Sequence, residues 1–354
     1  MNDIVTIFKK MGARFGQSGT FPEIMDFGNW EDEYAAARQQ AAVFDLNGLN
    51  VIRASGKDHA DLLHRLSMNE LRSMKPGDIL VNAFPDAKGK IVDAVYMVRR
   101  TDAIELITGY DRGASLMAWL DKYIFIEDVS LTDITAEVRL VLLTGPAVHQ
   151  LLPLQAPEMH FHEHSLAGVT VEAAMVSGLL PRGVLLRIDQ PQLHRVYAHF
   201  ADLADAGRLT WAGARAFHAL RIREGIPMHG HEIGEDANPY EAGLKSYISY
   251  TKGCYIGQEV IARLDTYDKV KYEYTGLWIN TREPLTPPLP ILQDGREVGI
   301  VTSAAFLPDA GKTAAIARIR RKGIEEPGTI KVQAGPDTVE AEIRDFTSEE
   351  PQNG

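Results

Sequence analysis

Strand and helix signals alternate along the chain up to about residue 268, and this alternation limits the folds that the chain can adopt. Alternating or continuous apolar residues predict strands, among them NVIRASG, KIVDAVYMVRR, AIELITGY and GVLLRID. Helical spacing of apolar residues marks other stretches, including DHADLLHRLSM, GASLMAWLDKYIF and PQLHRVYAHFADLADAG. Short strands mixed with helices of about ten residues are typical of an α+β architecture with layered, antiparallel sheets.

The chain changes character near Lys269. From YEYTGLWIN onward it carries short strand patterns, the proline cluster EPLTPPLP, and turn sequences such as QDGREVG and AGPDT. Prolines and turn residues at short intervals favour strands over helices. We therefore predict a small C-terminal all-β domain, either a sandwich or a barrel.

The charge of the chain argues against nucleic acid as a direct partner. There are 37 Lys and Arg residues against 48 Asp and Glu, a formal net charge of −11, which repels a phosphate backbone. The one dense basic stretch, IARIRRKGI at 316–324, alternates charged and apolar residues as a half-exposed strand does. No stretch reaches the roughly 18 to 20 apolar residues that span a bilayer, so no membrane partner is expected either.

Cysteine usage and the N-terminal stretch bear on the cellular compartment. The chain has one cysteine, which excludes an intramolecular disulfide and gives no reason to expect an oxidising compartment. The stretch MNDIVTIFKKMGARFG lacks the long apolar core of a secretory signal. We expect a cytoplasmic protein.

The single cysteine, Cys254, lies in the stretch KGCYIGQEVIAR at 252–263. Gly253 and Gly257 flank it, and glycine permits a positive φ or the close approach of another backbone. The apolar spacing after Gly257 predicts a helix that begins there. A helix N-terminus and the nearby Lys252 would both lower the pKa of the thiol, so Cys254 could be a nucleophile. A buried structural cysteine is the alternative.

A carboxylate lies in an otherwise apolar strand after a predicted hairpin. The hairpin is FPDAKGKIVDAV, in which Pro85-Asp86 and Lys88-Gly89 make the bend. Asp93 follows among apolar residues, where a carboxylate must be paired, solvated or functional. Solvation at an edge strand is the alternative to a functional role.

Histidines occur in two short patterns. His160, His162 and His164 alternate in EMHFHEHSL, but no carboxylate or cysteine pattern completes a metal site, so we predict none. His229 and His231, in the turn-rich PMHGHEIGED, are the upstream candidates for a catalytic partner of the thiol.

Together these segments resemble the folate-binding superfamily of the glycine-cleavage T-protein, an aminomethyltransferase, over nearly the whole chain. The segment from EYAAARQQAAVFDL to AVYMVRR follows the N-terminal pattern of that superfamily. LRIREGIPMHGHEI, NPYEAGL and GREVGIVTS resemble its Arg-x-Glu-x-Gly-x-Pro, Pro-x-Glu-Ala-Gly-Leu and Gly-x-Val-Thr-Ser segments. KGCYIGQEVIAR resembles the signature of the YgfZ branch, proteins implicated in iron–sulfur cluster assembly or repair and, through that, in tRNA modification.

Three positions depart from the T-protein pattern. T-proteins carry two consecutive aspartates after the hairpin, and the second acts on the folate and the aminomethyl group; here the pair is Asp93-Ala94. Because an alanine cannot accept a proton, transfer by that route is not expected. Leu185 stands where T-proteins have a glutamate that binds the pterin, and proteins of the YgfZ branch also have an apolar residue there. Arg223 replaces a glutamate that is usual in both branches.

The resemblance implies a three-domain folate-binding fold around a central channel, with mixed and antiparallel sheets and a small C-terminal β-barrel. The implied domains are 1–50 with 138–225, then 51–137 with 226–268, which carries the Cys254 loop, and finally 269–354. The implied cofactor is tetrahydrofolate or a one-carbon derivative, which needs an apolar slot, a few fixed polar groups and a cation for its glutamate tail. Cys254 and Lys252 are the expected catalytic residues. The expected folate contacts are Asp93, Tyr96, Glu241, Tyr255, Gln258 and Arg263.

Three functions stay open at this point, and so does the question of catalytic turnover. The first is a YgfZ-type folate-binding accessory protein for iron–sulfur client proteins, with Cys254 as its reactive group. The second is a tetrahydrofolate-dependent aminomethyl- or methyltransferase of the T-protein type, in which Asp93 would have to act from the opposite face of its strand. The third is a binding or scaffold protein in which Cys254 only packs.

Overall fold

The computed structural model of the chain describes residues 2–18, 21–152, 158–267, 269–321 and 329–346. Its contacts divide the chain into two units. The first unit holds Met1–Asn82 and Asp93–Phe217, and the second holds Ala83–Val92 and His218–Gly354. A short hairpin from the N-terminal half of the sequence therefore belongs to the unit that is otherwise C-terminal.

Helices form where helical apolar spacing predicts them, and α6 is an example. Its buried residues Leu193, Val196, Phe200 and Leu203 recur every three or four positions and form one apolar stripe. Among the described residues the α-helices are α1 (Asn2–Lys10), α2 (Trp30–Gln39), α3 (His59–Leu66), α4 (Gly113–Asp121), α5 (Val148–Leu151), α6 (Leu193–Asp205), α7 (Ala214–Arg223) and α8 (Gln258–Thr266).

The strands that precede α7 form two large sheets and one two-stranded sheet. Their bounds are β1 (Arg14–Ser18), β2 (Phe21–Asp26), β3 (Ala42–Asp45), β4 (Leu49–Ser55), β5 (Ile79–Pro85), β6 (Ile91–Arg99), β7 (Ala103–Tyr110), β8 (Ser130–Asp133), β9 (Val138–Thr144), β10 (His162–Leu166), β11 (Val169–Val176), β12 (Gly183–Asp189) and β13 (Thr210–Ala212). The small sheet pairs β1 with β2.

The first large sheet has six strands in the order β10-β11-β12-β9-β3-β13. Its neighbours are antiparallel except for β3 and β13, which run parallel. The apolar stripe of α6 shares one hydrophobic core with residues of this sheet such as Val43, Val141, Leu186 and Trp211. Burial of this shared apolar surface stabilises the layer of helix on sheet.

The second large sheet has five strands in the order β5-β6-β7-β4-β8. Strand β6, which lies between β5 and β7, is buried along most of its length, in keeping with its near-continuous apolar sequence. β5 and β6 are joined by the hairpin whose end belongs to the second unit.

The C-terminal strands close into a six-stranded barrel. They are β14 (Tyr272–Ile279), β15 (Leu289–Gln293), β16 (Arg296–Leu307), β17 (Lys312–Arg320), β18 (Ile330–Ala334) and β19 (Asp337–Arg344), in the order β14-β17-β16-β15-β18-β19. Pairing of β19 with β14 completes the ring, and its core includes Leu277, Val301, Ala317 and Val332. The predicted α+β fold with a C-terminal barrel is confirmed. In the part of the chain that is described, no helix is both long and apolar enough to cross a bilayer.

Candidate functional site

The loop that carries Cys254 lies in the second unit, directly before α8, and the Cys254 side chain is exposed. Lys252 is buried, and its Nζ lies 5.2 Å from the centroid of the Tyr255 ring. Burial raises the pKa of Tyr255 to about 12, so its ring meets this cation as a neutral phenol. The loop therefore combines an accessible thiol with a buried cation–π pair.

Gly257 ends this loop in the left-handed conformation, with a φ of +77°. A Cβ added there would collide with the carbonyl oxygen of Asp86, in the hairpin between β5 and β6. Gly253, in contrast, is not left-handed, and a Cβ added to it would meet open space. The backbone therefore requires only one of the two glycines, and the helix predicted after it begins at Gln258.

The hairpin tip, defined as residues 86–90, packs on the Cys254 loop and α8. Gly89 is buried and left-handed, with a φ of +72°. A Cβ added to it would lie 3.2 Å from Val260 and 3.3 Å from Ile261, in the first turn of α8. Two motifs far apart in sequence are therefore in contact within the second unit.

Glu241 is buried in the NPYEAGL segment, which also contacts the hairpin tip. The side-chain oxygen of Asn238 accepts the backbone N–H groups of Tyr240 and Glu241, at 3.0 and 3.1 Å, and so shapes the turn. Lys90 Nζ donates to the carbonyl of Asp236 at 2.6 Å and lies 3.8 Å from Glu241 Oε2. An ion pair to this segment and a charge-assisted hydrogen bond to Asp236, two residues before it, thus connect the hairpin tip to this part of the chain.

Gln258 and Arg263 both lie on α8. The N–H of Gln258 donates to the carbonyl of Tyr255 at 3.2 Å, at the start of the helix. The Arg263 side chain is 65% exposed and pairs with Glu259 one turn earlier, at 2.5 Å. Arg263 is therefore open to a ligand, which would have to share or displace its pairing with Glu259.

Asp93 lies in the first unit, on β6, and its carboxylate is buried. Its Oδ1 accepts the N–H of Ala94 at 2.9 Å, and its Oδ2 lies 3.5 Å from Nε of Arg112, at the start of α4. Burial raises the pKa of Asp93 to about 7, against the opposing effect of Arg112. Because β6 lies between β5 and β7, the alternative of a solvated edge strand is wrong. The carboxylate is paired instead.

Tyr96 lies on the same strand, three residues after Asp93, and therefore on its other face. The Tyr96 hydroxyl donates to the carbonyl of Ser177 and accepts the N–H groups of Leu179 and Leu180, each at 3.0 Å. Asp93 and Tyr96 do not converge on one face of β6, and their roles as folate contacts stay predictions. Ala94, at the position of the T-protein carboxylate, shares the face of Tyr96.

Leu185 supplies the second apolar position that departs from the T-protein pattern. It is buried in β12, opposite Ala174 on one neighbouring strand and Leu142 on the other. At positions 94 and 185 this chain therefore has an apolar side chain where the T-protein pattern has a carboxylate.

A buried charge network in the second unit has no clear sequence signal. Arg221 donates to Glu232 Oε2 at 3.0 Å and to Ser303 Oγ at 2.6 Å. Glu232 Oε1 accepts the hydroxyls of Thr302 and Ser303, each at 2.6 Å. These residues come from α7, the loop after it and β16, so no local pattern could have paired them. Arg223, which replaces the glutamate of the T-protein pattern, forms an ion pair with Asp309 at 3.1 Å.

The two histidine patterns have other contacts. His160 Nδ1 lies 2.8 Å from Asp78 Oδ1, and its ring centroid lies 4.6 Å from that of His162. The ring of His231 contacts that of His218, at 5.4 Å between centroids. Among the described residues, no group of three or more His, Cys, Asp or Glu side chains could hold a metal ion.

Comparison with known proteins places this architecture in a family. The family model described as the GCVT N-terminal domain matches residues 4–252. The chain is 29% identical over 310 residues to a chloroplastic protein of Arabidopsis thaliana named as a candidate transferase, covering 85% of this chain and 70% of that protein. It is 26% identical over 344 residues to an aminomethyltransferase of Herpetosiphon aurantiacus, covering 94% and 91%.

The fold agrees with this match. The crystal structure of glycine cleavage system aminomethyltransferase T from Bartonella henselae superimposes with a TM-score of 0.83 at 19% identity, covering 96% of this chain and 94% of that one. At this identity the likeness shows a shared fold. The match over residues 4–252 shows more: this chain belongs to the GCVT N-terminal domain family and has the T-protein fold.

Proposed function

We propose that the chain is a tetrahydrofolate-binding accessory protein of the YgfZ type, with Cys254 as its reactive group. In this proposal it acts in the cytoplasm on iron–sulfur client proteins, in cluster assembly or repair, and affects tRNA modification indirectly. The observation that carries the proposal is the exposure of Cys254 on a loop packed against the hairpin tip. A cysteine that only filled space would be buried, as free cysteines usually are.

The residues of the second unit suit the chemistry of a folate. Glu241 is a buried carboxylate that can accept hydrogen bonds from pterin N–H groups, and Tyr255 is a buried aromatic ring. Lys252 and Arg263 are cations suited to the carboxylates of the glutamate tail. When bound, a reduced folate would supply a carrier for a one-carbon unit. Gln258 is the remaining proposed contact in this unit. The roles of Asp93 and Tyr96, in the first unit, stay predictions from the resemblance.

Position 94 supports the accessory role over aminomethyl transfer. The transfer needs a carboxylate where this chain has Ala94. Asp93 points to the other face of β6 and pairs with Arg112, so it does not replace the missing group. Leu185 likewise removes a pterin contact of the T-protein type.

A tetrahydrofolate-dependent aminomethyl- or methyltransferase is the second candidate, and the comparisons favour it at the level of the family. The matching family model covers most of the chain, and full-length relatives such as that of Herpetosiphon aurantiacus are named aminomethyltransferases. Formation of methylene-tetrahydrofolate from an aminomethylated carrier protein or a small methylated donor, by the purified chain, would establish this candidate.

Calorimetric titration with tetrahydrofolate and with folinic acid tests the folate-binding part that both candidates share. We expect wild type and Cys254→Ala to bind tetrahydrofolate alike, because the proposal gives the thiol a reactive role and not a binding one. Arg263→Ala should bind more weakly, since it removes a cation for the glutamate tail. Absence of binding to both ligands would overturn both candidates.

Complementation tests the role of the thiol. In a strain that lacks the protein, wild type should restore the activity of iron–sulfur enzymes and Cys254→Ala should not. Lys122→Ala, an exposed substitution in the first unit, serves as the matched control. Full restoration by Cys254→Ala would refute the reactive role and leave a binding or scaffold protein.

A further inference from the structure

We propose that the hairpin tip positions the Cys254 loop, with Asp86 and Lys90 as its positioning residues. This inference rests on the proposed function only in taking the Cys254 loop as the working loop of the protein. Neither residue carries a role in the resemblance or in the comparisons. The contacts of both residues described below lie within the second unit.

Asp86 holds the hairpin tip in shape. Its Oδ1 accepts the backbone N–H groups of Lys88 and Lys90, both at 2.8 Å. Its own backbone N–H donates to the carbonyl of Lys90 at 2.8 Å, and its carbonyl accepts the N–H of Gly89 at 3.0 Å. One side chain therefore satisfies two turn N–H groups that would otherwise lack a partner within the turn.

The carbonyl oxygen of Asp86 is also the atom against which Gly257 packs so closely that a Cβ would not fit. Gly89, on the other side of the tip, lies against Val260 and Ile261 of α8. The left-handed turn that leads from the Cys254 loop into α8 is thus built on the surface of the tip. A change in the conformation of the hairpin tip would therefore remove the packing contacts of this turn.

Lys90 positions the second segment that contacts the hairpin tip, which carries Glu241. Its Nζ is bonded to the Asp236 carbonyl and faces the Glu241 carboxylate, and the N–H of Ile91 donates to the carbonyl of Ala237 at 3.1 Å. The buried carboxylate is therefore oriented by a side chain of the tip. Lys90 acts on a bound ligand only through Glu241, which makes it a positioning residue.

Amide hydrogen exchange on the full chain without folate tests this inference. Asp86→Ala removes the acceptor of two N–H groups, and we expect exchange in residues 253–260 to become about tenfold faster. Asp86→Asn keeps a side-chain oxygen that can accept them, so it should exchange within about twofold of wild type. Lys88→Ala, whose side chain is exposed, is the matched control and should not differ from wild type. Exchange in β14 of the barrel should stay unchanged in all three, which separates local loosening from global unfolding.

The rate of Cys254 alkylation by iodoacetamide provides a second readout, and it should change in Asp86→Ala and return to the wild-type rate in Asp86→Asn.

Lys90→Met leaves the turn intact, so it should speed amide exchange in residues 238–244 and leave exchange in residues 253–260 unchanged. Lys90→Arg should restore the protection of residues 238–244. If Asp86→Ala does not fold, the Lys90 pair decides the inference. A folded Asp86→Ala or Lys90→Met with wild-type exchange in its segment would overturn the role of that residue.

The exchange and alkylation measurements need no folate, so failure of the positioning role can be distinguished from failure of the proposed function. Loosened loops in Asp86→Ala, combined with full complementation by Cys254→Ala, would leave the positioning role standing and refute the reactive thiol.

Discussion

Gly257 joins the Cys254 loop to α8 and has two reasons to be glycine. Its φ of +77° lies in the left-handed region, where a side chain is strained, and the Asp86 carbonyl occupies the space of a Cβ. Its own carbonyl accepts the N–H of Ile261 at 3.1 Å, so the residue also begins the hydrogen-bonding of the helix.

This geometry predicts different outcomes for two neighbouring substitutions. Gly257→Ala should lower the free energy of unfolding by about 1 to 3 kcal/mol, through left-handed strain and the clash with Asp86. Gly253→Ala should change it by less than about 0.5 kcal/mol, because the added methyl meets open space at an ordinary φ. Urea denaturation of both variants measures the difference, and equal losses would contradict the prediction.

Asp93 links the stability of the chain to pH. Its pKa is raised from 3.8 to about 7 by burial, so between these values the folded chain holds a proton that the unfolded chain has released. The contribution of Asp93 to the free energy of unfolding should therefore fall as the pH rises through this window, by at most about 1.4 kcal/mol per pH unit, and level off above it.

Asp93→Asn removes this titration and gives the prediction its test. The unfolding free energy of the variant minus that of wild type should increase from about pH 4 to about pH 7 and then stay constant. Urea denaturation at several pH values measures it. A difference that does not vary with pH would show that Asp93 titrates alike in the folded and unfolded chains.

At the scale of elements, Arg221 connects α7 to the barrel strand β16 and to the loop that carries Glu232. Both side chains are fully buried, and each makes several hydrogen bonds, to Ile226 and Ser303 among others. Burial of such a pair costs desolvation on both sides, which only complete hydrogen bonding offsets. The pair therefore makes the junction of these elements sensitive to the loss of one partner.

Arg221→Met should destabilise the chain by about 3 to 5 kcal/mol, because it leaves the Glu232 carboxylate buried without its cation. The double variant Arg221→Met with Glu232→Gln should recover part of this loss, since the uncompensated charge is then gone. Urea denaturation followed by tryptophan fluorescence checks both. A single-variant loss below about 1 kcal/mol would mean that the hydroxyls of Thr302 and Ser303 suffice to hold the carboxylate.

The end of α4 shows how a tertiary contact changes an element. Apolar spacing predicts a helix through Phe125, whereas α4 ends at Asp121. The Glu127 carboxylate accepts the N–H groups of Phe125 and Ile126, at 3.0 and 3.2 Å, and also pairs with Arg65 of α3. These bonds hold the segment in a non-helical turn and lower the pKa of Glu127 to about 2. Arg65 lies far away in sequence, so local spacing carried no sign of this turn.

At the scale of the whole molecule, the contacts define two units, and the division into three domains stays a prediction. The barrel and the layered sheets agree with the sequence because each strand there carries its own pattern of apolar residues. The basic stretch at 316–324 is described as far as residue 321. Its strand part is more buried than a half-exposed strand: Ile316, Ala317 and Ile319 are buried, and Arg320 is exposed. Arg318 is partly buried and pairs with Asp236 at 2.6 Å. The expected absence of a nucleic-acid partner stays a prediction.

The sequence by itself determined much of the alternation of strands and helices, the all-β character of the C-terminal domain and the start of α8, because these depend on local spacing. Its motifs indicated the superfamily and, through that resemblance, the barrel. Only the tertiary structure decided which residues meet: the hairpin tip with Gly257, Lys90 with Glu241, and Arg221 with Glu232. It also decided that Asp93 pairs with Arg112 and that Cys254 is exposed. Burial, ion pairing and backbone clashes depend on neighbours brought together by folding, and residue spacing carries no measure of them.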